Sequence, residues 1–151
     1  MYMIDNNIHF KLLTDKNIDE YLTLLKCLSD TVEERDKILN LMTFYKIAEV
    51  HPFIQIWIIQ DYYNKKMIGC GTIMIEPKFI HKCKNVAHIE DICILPEYQN
   101  KGYGNKLIQY LVDITKSYDC YKVILNCNEN VKSFYEKCGF KETNTQMSIY
   151  F

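Results

Sequence analysis

This chain has no basic block, no apolar run of membrane length and very little glycine or proline. Its net charge is −1, so there is no electrostatic footprint for nucleic acid or an anionic membrane surface. The longest strongly apolar stretch, Phe53-Ile54-Gln55-Ile56-Trp57-Ile58-Ile59, is far too short to span a bilayer. The first residues, Met1-Tyr2-Met3-Ile4-Asp5-Asn6, lack the basic start and apolar stretch of a signal peptide, and a cytoplasmic location is the expectation. Cysteine is not scarce, with seven at 27, 70, 83, 93, 120, 127 and 138, but no Cys-x-x-Cys pair occurs and the count is odd. Cys70, Cys93 and Cys127 sit inside apolar runs, where a thiol behaves as a small hydrophobe. His9, His51, His81 and His88 make no ligand spacing with them, so no metal site is expected. Reduced structural cysteines in a reducing compartment are the consistent reading. Internal repeats, linkers and low-complexity segments are also missing.

What remains is an ordinary globular composition, 48% hydrophobic and 25% charged over 151 residues, enough for one domain with a proper core. Residues 8–13 read as a strand, and Ile18, Tyr21, Leu22, Leu25 and Leu28 recur at helical spacing. Thr31-Val32-Glu33-Glu34 is a capping box for a second helix with the stripe Ile38, Leu41, Met42 and Tyr45. Two strands at 53–60 and 66–75 flank the polar turn 61–65. A lysine-rich loop over 76–86 leads to a strand at 87–94. A helix beginning near Asn105 carries Leu107, Ile108, Leu111, Val112, Ile114 and Tyr118. A strand at 122–127, a short helix capped by Asn128 and stopped at Gly139, and a final strand at 146–151 complete the order. The expected class is α+β, a mixed sheet with helices packed on it. The strands ending at Ile94 and starting at Lys122 form a parallel pair across a helical connection.

The informative segment is the turn Gln99-Asn100-Lys101-Gly102-Tyr103-Gly104, set between the apolar strand and the helix. Glycines just before a helix let backbone N–H groups close on an anion, and the helix N-terminus favours negative charge. A pyrophosphate suits that cradle. The segment is neither a Walker loop nor a dinucleotide fingerprint, because no Gly-Lys-Ser/Thr follows and no third glycine sits three residues after Gly104. Read by residue type alone, it is equally a strand-to-helix connection with two convenient glycines.

Gln-x-x-Gly-x-Gly after an apolar strand, together with Ser133-Phe134-Tyr135-Glu136-Lys137-Cys138-Gly139-Phe140 and the order of elements, resembles the GNAT superfamily of N-acetyltransferases. More narrowly, His88-Ile89-Glu90-Asp91-Ile92, Cys120-Tyr121-Lys122 and the segment from Phe134 to Phe140 resemble the glucosamine 6-phosphate N-acetyltransferase family; Glu76-Pro77-Lys78-Phe79-Ile80-His81 does so less specifically. The resemblance implies a splayed sheet that opens an acetyl-CoA cleft. It places acetyl-CoA, the co-substrate, on Ile92, Cys93, Ile94, Gln99, Asn100, Lys101, Gly102, Tyr103, Gly104, Asn105 and Tyr135, with the strand contributing main chain. It makes Tyr135 the donor to the departing thiolate, and assigns Glu90 and Asp91 to the hydroxyls and ammonium of an amino-sugar phosphate. It gives Tyr121, Lys122, Lys78 and His81 to the phosphate side and Ser29 to a hydroxyl contact. A homodimer follows from the resemblance, with the 76–86 loop and the final strand near the partner.

Residue types alone say less. Tyr135 is also a good packing aromatic, Lys122 an ordinary surface lysine and Ser29 a helix-end serine. Glu90 and Asp91, adjacent on a strand, are expected on opposite faces and in different roles. Two positions depart from the family. It often carries a carboxylate, a candidate catalytic base, where this chain has Asn126, and an amide cannot act as a base. Its late phosphate-binding arginine falls at Tyr150, which has no charge and no bidentate fork. Cys93, Cys127 and Cys138 lack a partnering histidine, so direct attack of an amine on the thioester is expected rather than an acyl-enzyme. The expected activity is acetylation of D-glucosamine 6-phosphate. An N-acetyltransferase acting on a protein or polyamine amine, and a non-catalytic acetyl-CoA-binding module, stay open as alternatives.

Overall fold

β-Branched residues dominate the middle of the chain and build one sheet. The computed structural model describes residues 7–29, 32 and 37–151. Its strands are β1 (Ile8–Leu12), β2 (Ile54–Asp61), β3 (Met67–Pro77), β4 (Asn85–Ile94) and β5 (Cys120–Ile124), hydrogen-bonded in that order. The first three pairings are antiparallel, and β4 with β5 is parallel, as the helical connection requires. Ile58 and Ile59, adjacent on β2 and fully buried, point to opposite faces and so enter two separate cores.

Helix α1 (Ile18–Leu25) covers one face with Tyr21 and Leu24, packed on Ile58, Met67, Cys70 and Cys93. Helix α4 (Tyr103–Lys116) covers the other with Leu107, Ile108 and Leu111, all fully buried against Ile68, Ile73, Ala87 and Ile89. Removing each such aliphatic side chain from water stabilises the fold by about 1.5–3 kcal/mol. Helix α5 (Glu129–Lys137) closes the sheet's far end and stops at Gly139, whose φ of 97° is the left-handed state a helix C-terminus favours.

Several expectations differ from this structure. Helix α2 (Lys37–Tyr45) forms, but Ile38 is 72% and Met42 63% exposed. Its stripe is only partly covered in a single copy, with Leu41 37% and Tyr45 44% exposed. The capping box at 31–34 lies outside the described residues. The 76–86 stretch is shorter as a loop than expected, because β3 runs on to Pro77 and β4 begins at Asn85. Between them sits the single turn α3 (Ile80–Cys83), in which His81, Lys82 and Cys83 take φ of 53°, 60° and 60°. The final strand is absent: residues 140–151 carry no regular structure, and Met147 and Tyr150 are both 91% exposed. A strand obtains its hydrogen bonds from a neighbour, and this segment pairs with none among the described residues. All seven thiols are free, but Cys127 is exposed rather than packed.

Candidate active site

The site is made where β4 and β5 part. Their pairing runs from Asn85↔Cys120 to His88↔Ile124 and ends there, while β4 continues to Ile94 against β3. Just beyond, β4 bulges. Cys70 pairs with Cys93 and Thr72 with Glu90, so Asp91 and Ile92 together face Gly71, and Asp91 takes a φ of 53°. A Cβ on Gly71 would lie 2.5 Å from Ile92 Cδ1 and 2.8 Å from Leu111 Cδ1. Only glycine admits the bulge at this depth. The side chains of Ile92 and Ile94 pack into the core, which leaves their main chain as the functional part.

The bulge overturns the expected separation of Glu90 and Asp91. Glu90 is the cross-strand partner of Thr72, and Asp91 Oδ2 accepts a hydrogen bond from Thr72 Oγ1 at 3.3 Å. Both carboxylates therefore gather at one residue. Partial burial, then the field of Asp91, pushes the Glu90 carboxyl above its ordinary value, with His88 opposing. Tyr135, half-buried on α5, feels Glu90 as a negative field; burial is the main reason its hydroxyl is held above its ordinary value. It remains a proton donor throughout the neutral range. Its ring sits 5.0 Å from Phe134 and 6.1 Å from Phe140, centroid to centroid.

The loop before α4 folds on its own side chains. Gln99 Nε2 donates to Ile94 O at 2.9 Å, Lys101 Nζ to Glu97 O at 2.6 Å, and Asn105 Nδ2 to Cys138 Sγ at 3.3 Å. Those three side chains are structural, so what they leave for a ligand is backbone. Asn100 and Gly102 both take positive φ, 58° and 85°, and Gly102 caps a helix that begins at Tyr103 rather than Asn105. The first amides of that helix have no partner within it. Left-handed residues before a helix N-terminus make a concave anion cradle, so the loop fits a pyrophosphate. Gly104 also serves packing, since a Cβ there would lie 3.2 Å from Phe134 Cζ.

The expected phosphate-side residues divide. The ring of His81 packs on that of Tyr121 at 4.1 Å, and Lys122 Nζ lies 5.6 Å over the same ring. Those three form one cluster, with His81 and Lys122 exposed and Tyr121 half-buried. Lys78 does not join it, because its ammonium pairs with Glu76, whose carboxylate also meets His88 Nε2 at 3.0 Å. These two contacts, Lys78 first, hold the Glu76 carboxyl below its ordinary value. Lys122, Asn126 and Tyr135 line a common groove of about 610 Å³ between β5, α5 and residues 140–146. Ser29 follows α1, with its amide donating to Leu25 O at 3.2 Å. Sequence reasoning missed Thr72 and Glu76. Gly71, a glycine inside a strand, is a sign of the crowding there, since a side chain on it would meet those of Ile92 and Leu111. Among the described residues no group of three or more His, Cys, Asp or Glu could hold a metal, and no helix is long and apolar enough to cross a membrane.

Known proteins share this arrangement. Residues 19–140 match the family model described as the acetyltransferase (GNAT) family. The glucosamine 6-phosphate N-acetyltransferase 1 of Dictyostelium discoideum is 33% identical over 149 residues, 98% of this chain and 94% of its own length. The Arabidopsis thaliana glucosamine 6-phosphate N-acetyltransferase is 42% identical over 96 residues, 64% of each chain. A crystal structure of the Arabidopsis thaliana enzyme superposes with a TM-score of 0.85 at 34% identity, covering 95% of this chain and 98% of that one. With the splayed sheet, the cradle before α4 and Tyr135 in place, the chain belongs to the GNAT acetyltransferase family and, within it, to the glucosamine 6-phosphate N-acetyltransferases.

Proposed function

We propose that this chain transfers the acetyl group of acetyl-CoA to the amine of D-glucosamine 6-phosphate, giving N-acetylglucosamine 6-phosphate and CoA. The observation that carries the reading is the carboxylate pair Glu90 and Asp91, brought together by the bulge at the point where β4 leaves β5. Acetyl-CoA, when bound, supplies an activated thioester. The backbone amides at the start of α4 receive its pyrophosphate, and the main chain of Ile92, Cys93 and Ile94 aligns its arm and acetyl carbonyl. Glu90 and Asp91 hold the sugar hydroxyls and the ammonium. Glu90, whose raised carboxyl makes it the better proton acceptor, takes the ammonium proton in place of the amide at Asn126. The neutral nitrogen attacks the carbonyl carbon, a C–N bond forms, the C–S bond breaks, the nitrogen releases its remaining extra proton to solvent, and the sulfur takes a hydrogen bond from Tyr135 or a proton that solvent returns to it. His81, Tyr121 and Lys122 supply the positive and aromatic surface for the phosphate.

Two copies act together in this reading. The apolar stripe of α2 and the extended segment ending in Met147, Ile149 and Phe151 are exposed in one copy, and a second copy is the partner that would cover them. Light scattering on the whole chain should give twice 18.0 kDa; a monomer at micromolar concentration refutes this part.

Thiol release from acetyl-CoA, measured with and without glucosamine 6-phosphate and confirmed by the product mass, tests the activity. Release that glucosamine 6-phosphate does not accelerate refutes it. Tyr150, uncharged where the family carries a phosphate-binding arginine, favours one second reading, acetylation of a protein or polyamine amine. A panel of acceptors separates the two, because the second reading requires a peptide or polyamine to outpace the sugar phosphate.

A further inference from the structure

We propose that Thr72 is a positioning residue for the acceptor site: its hydroxyl fixes the Asp91 carboxylate in the direction that the acceptor's ammonium and hydroxyls meet. This rests on the acceptor-site reading of Asp91. Asp91 stands in a backbone state that non-glycine residues seldom occupy, so surrounding contacts must hold it there. Two do so from β3. Cys70 Sγ lies 3.5 Å from the Asp91 carbonyl oxygen, and Thr72 Oγ1 lies 3.3 Å from Asp91 Oδ2. Gly71, between those two residues, leaves the room that the bulge needs.

Thr72 is suited to this. It is 9% exposed, in a core that is otherwise almost wholly apolar. Its β-branched side chain on a strand has little χ1 freedom, so the hydroxyl stays in one place. A hydroxyl has one proton to donate and lone pairs to accept with. Thr72 gives its proton to Asp91. That bond occupies Oδ2 and leaves the other carboxylate oxygen for the acceptor. The consequence is on acceptor binding and orientation, with acetyl-CoA binding unaffected.

The test compares Thr72→Val, Thr72→Ser and Asp91→Asn for kcat, for the KM of each substrate and for melting temperature. Thr72→Val keeps shape and removes the donor. It should lower kcat/KM for glucosamine 6-phosphate about tenfold, the scale of one hydrogen bond to a charged group, with the acetyl-CoA KM unchanged. Thr72→Ser should recover most of that loss. In an Asp91→Asn background Thr72→Val should add little, since both act on one contact. Equal losses toward both substrates, a serine variant no better than valine, or additive losses in the double variant would each overturn the proposal. Impairment by Asp91→Asn with Thr72→Val at full activity also overturns it while leaving the acceptor site standing. An Asp91→Asn variant with unchanged acceptor kinetics would instead overturn the acceptor-site reading, and the proposal with it.

Discussion

Replacing Tyr135 with phenylalanine removes one oxygen from a half-buried ring and leaves its contacts with Phe134 and Phe140 in place. The fold should barely notice. The reaction should, because the hydroxyl meets sulfur only as negative charge builds there. A hydrogen bond to a charged group contributes about 1.5–3 kcal/mol, and each ~1.36 kcal/mol of barrier is a factor of ten. kcat should therefore fall roughly 10- to 150-fold, at the lower end of general acid catalysis because a thiolate is already a fair leaving group. Burial, reinforced by Cys127, Cys138 and Glu90, raises the hydroxyl above its ordinary value of 10.0, so wild-type protein keeps the donor throughout the working range. The ratio of the two proteins should stay constant from about pH 6 to about pH 9. The same shift has a stability consequence of definite sign. A raised folded-state value contributes stability that is complete below the unfolded value and is lost as pH rises through the folded one. The wild type should thus lose stability relative to the variant only above about pH 10. Thiol-release kinetics, acetyl-CoA titration calorimetry and alkaline melting curves measure these effects. Equal kcat for the two proteins, or a loss confined to acetyl-CoA affinity, would return Tyr135 to the packing residues.

Gly102→Val forces a β-branched residue to the φ of 85° at the head of α4 and should weaken acetyl-CoA binding at least about tenfold with the circular dichroism spectrum unchanged; unaltered affinity would remove the loop from the cofactor site. Gly104→Val should weaken binding as well, but with a lower melting temperature, because its side chain drives into Phe134. Lys122→Ala should raise the KM for glucosamine 6-phosphate several-fold, more at low salt, and leave phosphate-free glucosamine unaffected. Lys78→Ala should do less, since Glu76 already neutralises that ammonium, and equal effects from the two lysines would dissolve the distinction. Gly71→Ala should destabilise the protein by about 1–3 kcal/mol through overpacking against Ile92 and Leu111; a denaturant midpoint equal to wild type would show that the bulge tolerates a methyl group.

The parts of the fold legible in the sequence are those where burial within one copy decides the conformation. The apolar runs of β2 to β4 and the stripe of α4 name their elements because each buries its pattern against the sheet. The stripe of α2 and the last six residues carry comparable patterns and are exposed here, since pattern announces that a surface needs a partner without saying where that partner is. The acceptor site shows a subtler limit. Alternation along β4 predicts opposite faces for Glu90 and Asp91, yet the apolar phase itself records the failure of that rule. Ala87 and Ile89 lie two apart and belong to the α4 core, as do Ile92 and Ile94, but between Ile89 and Ile92 the interval is three. An interval of three in a period of two is one inserted residue, and the residue that absorbs it is Asp91. Opposite it stands Gly71, with no side chain to resist. The two carboxylates are thus brought together by an irregularity written in the spacing of isoleucines. A search for acidic residues alone finds Glu90 and Asp91 but not the reason they share Thr72.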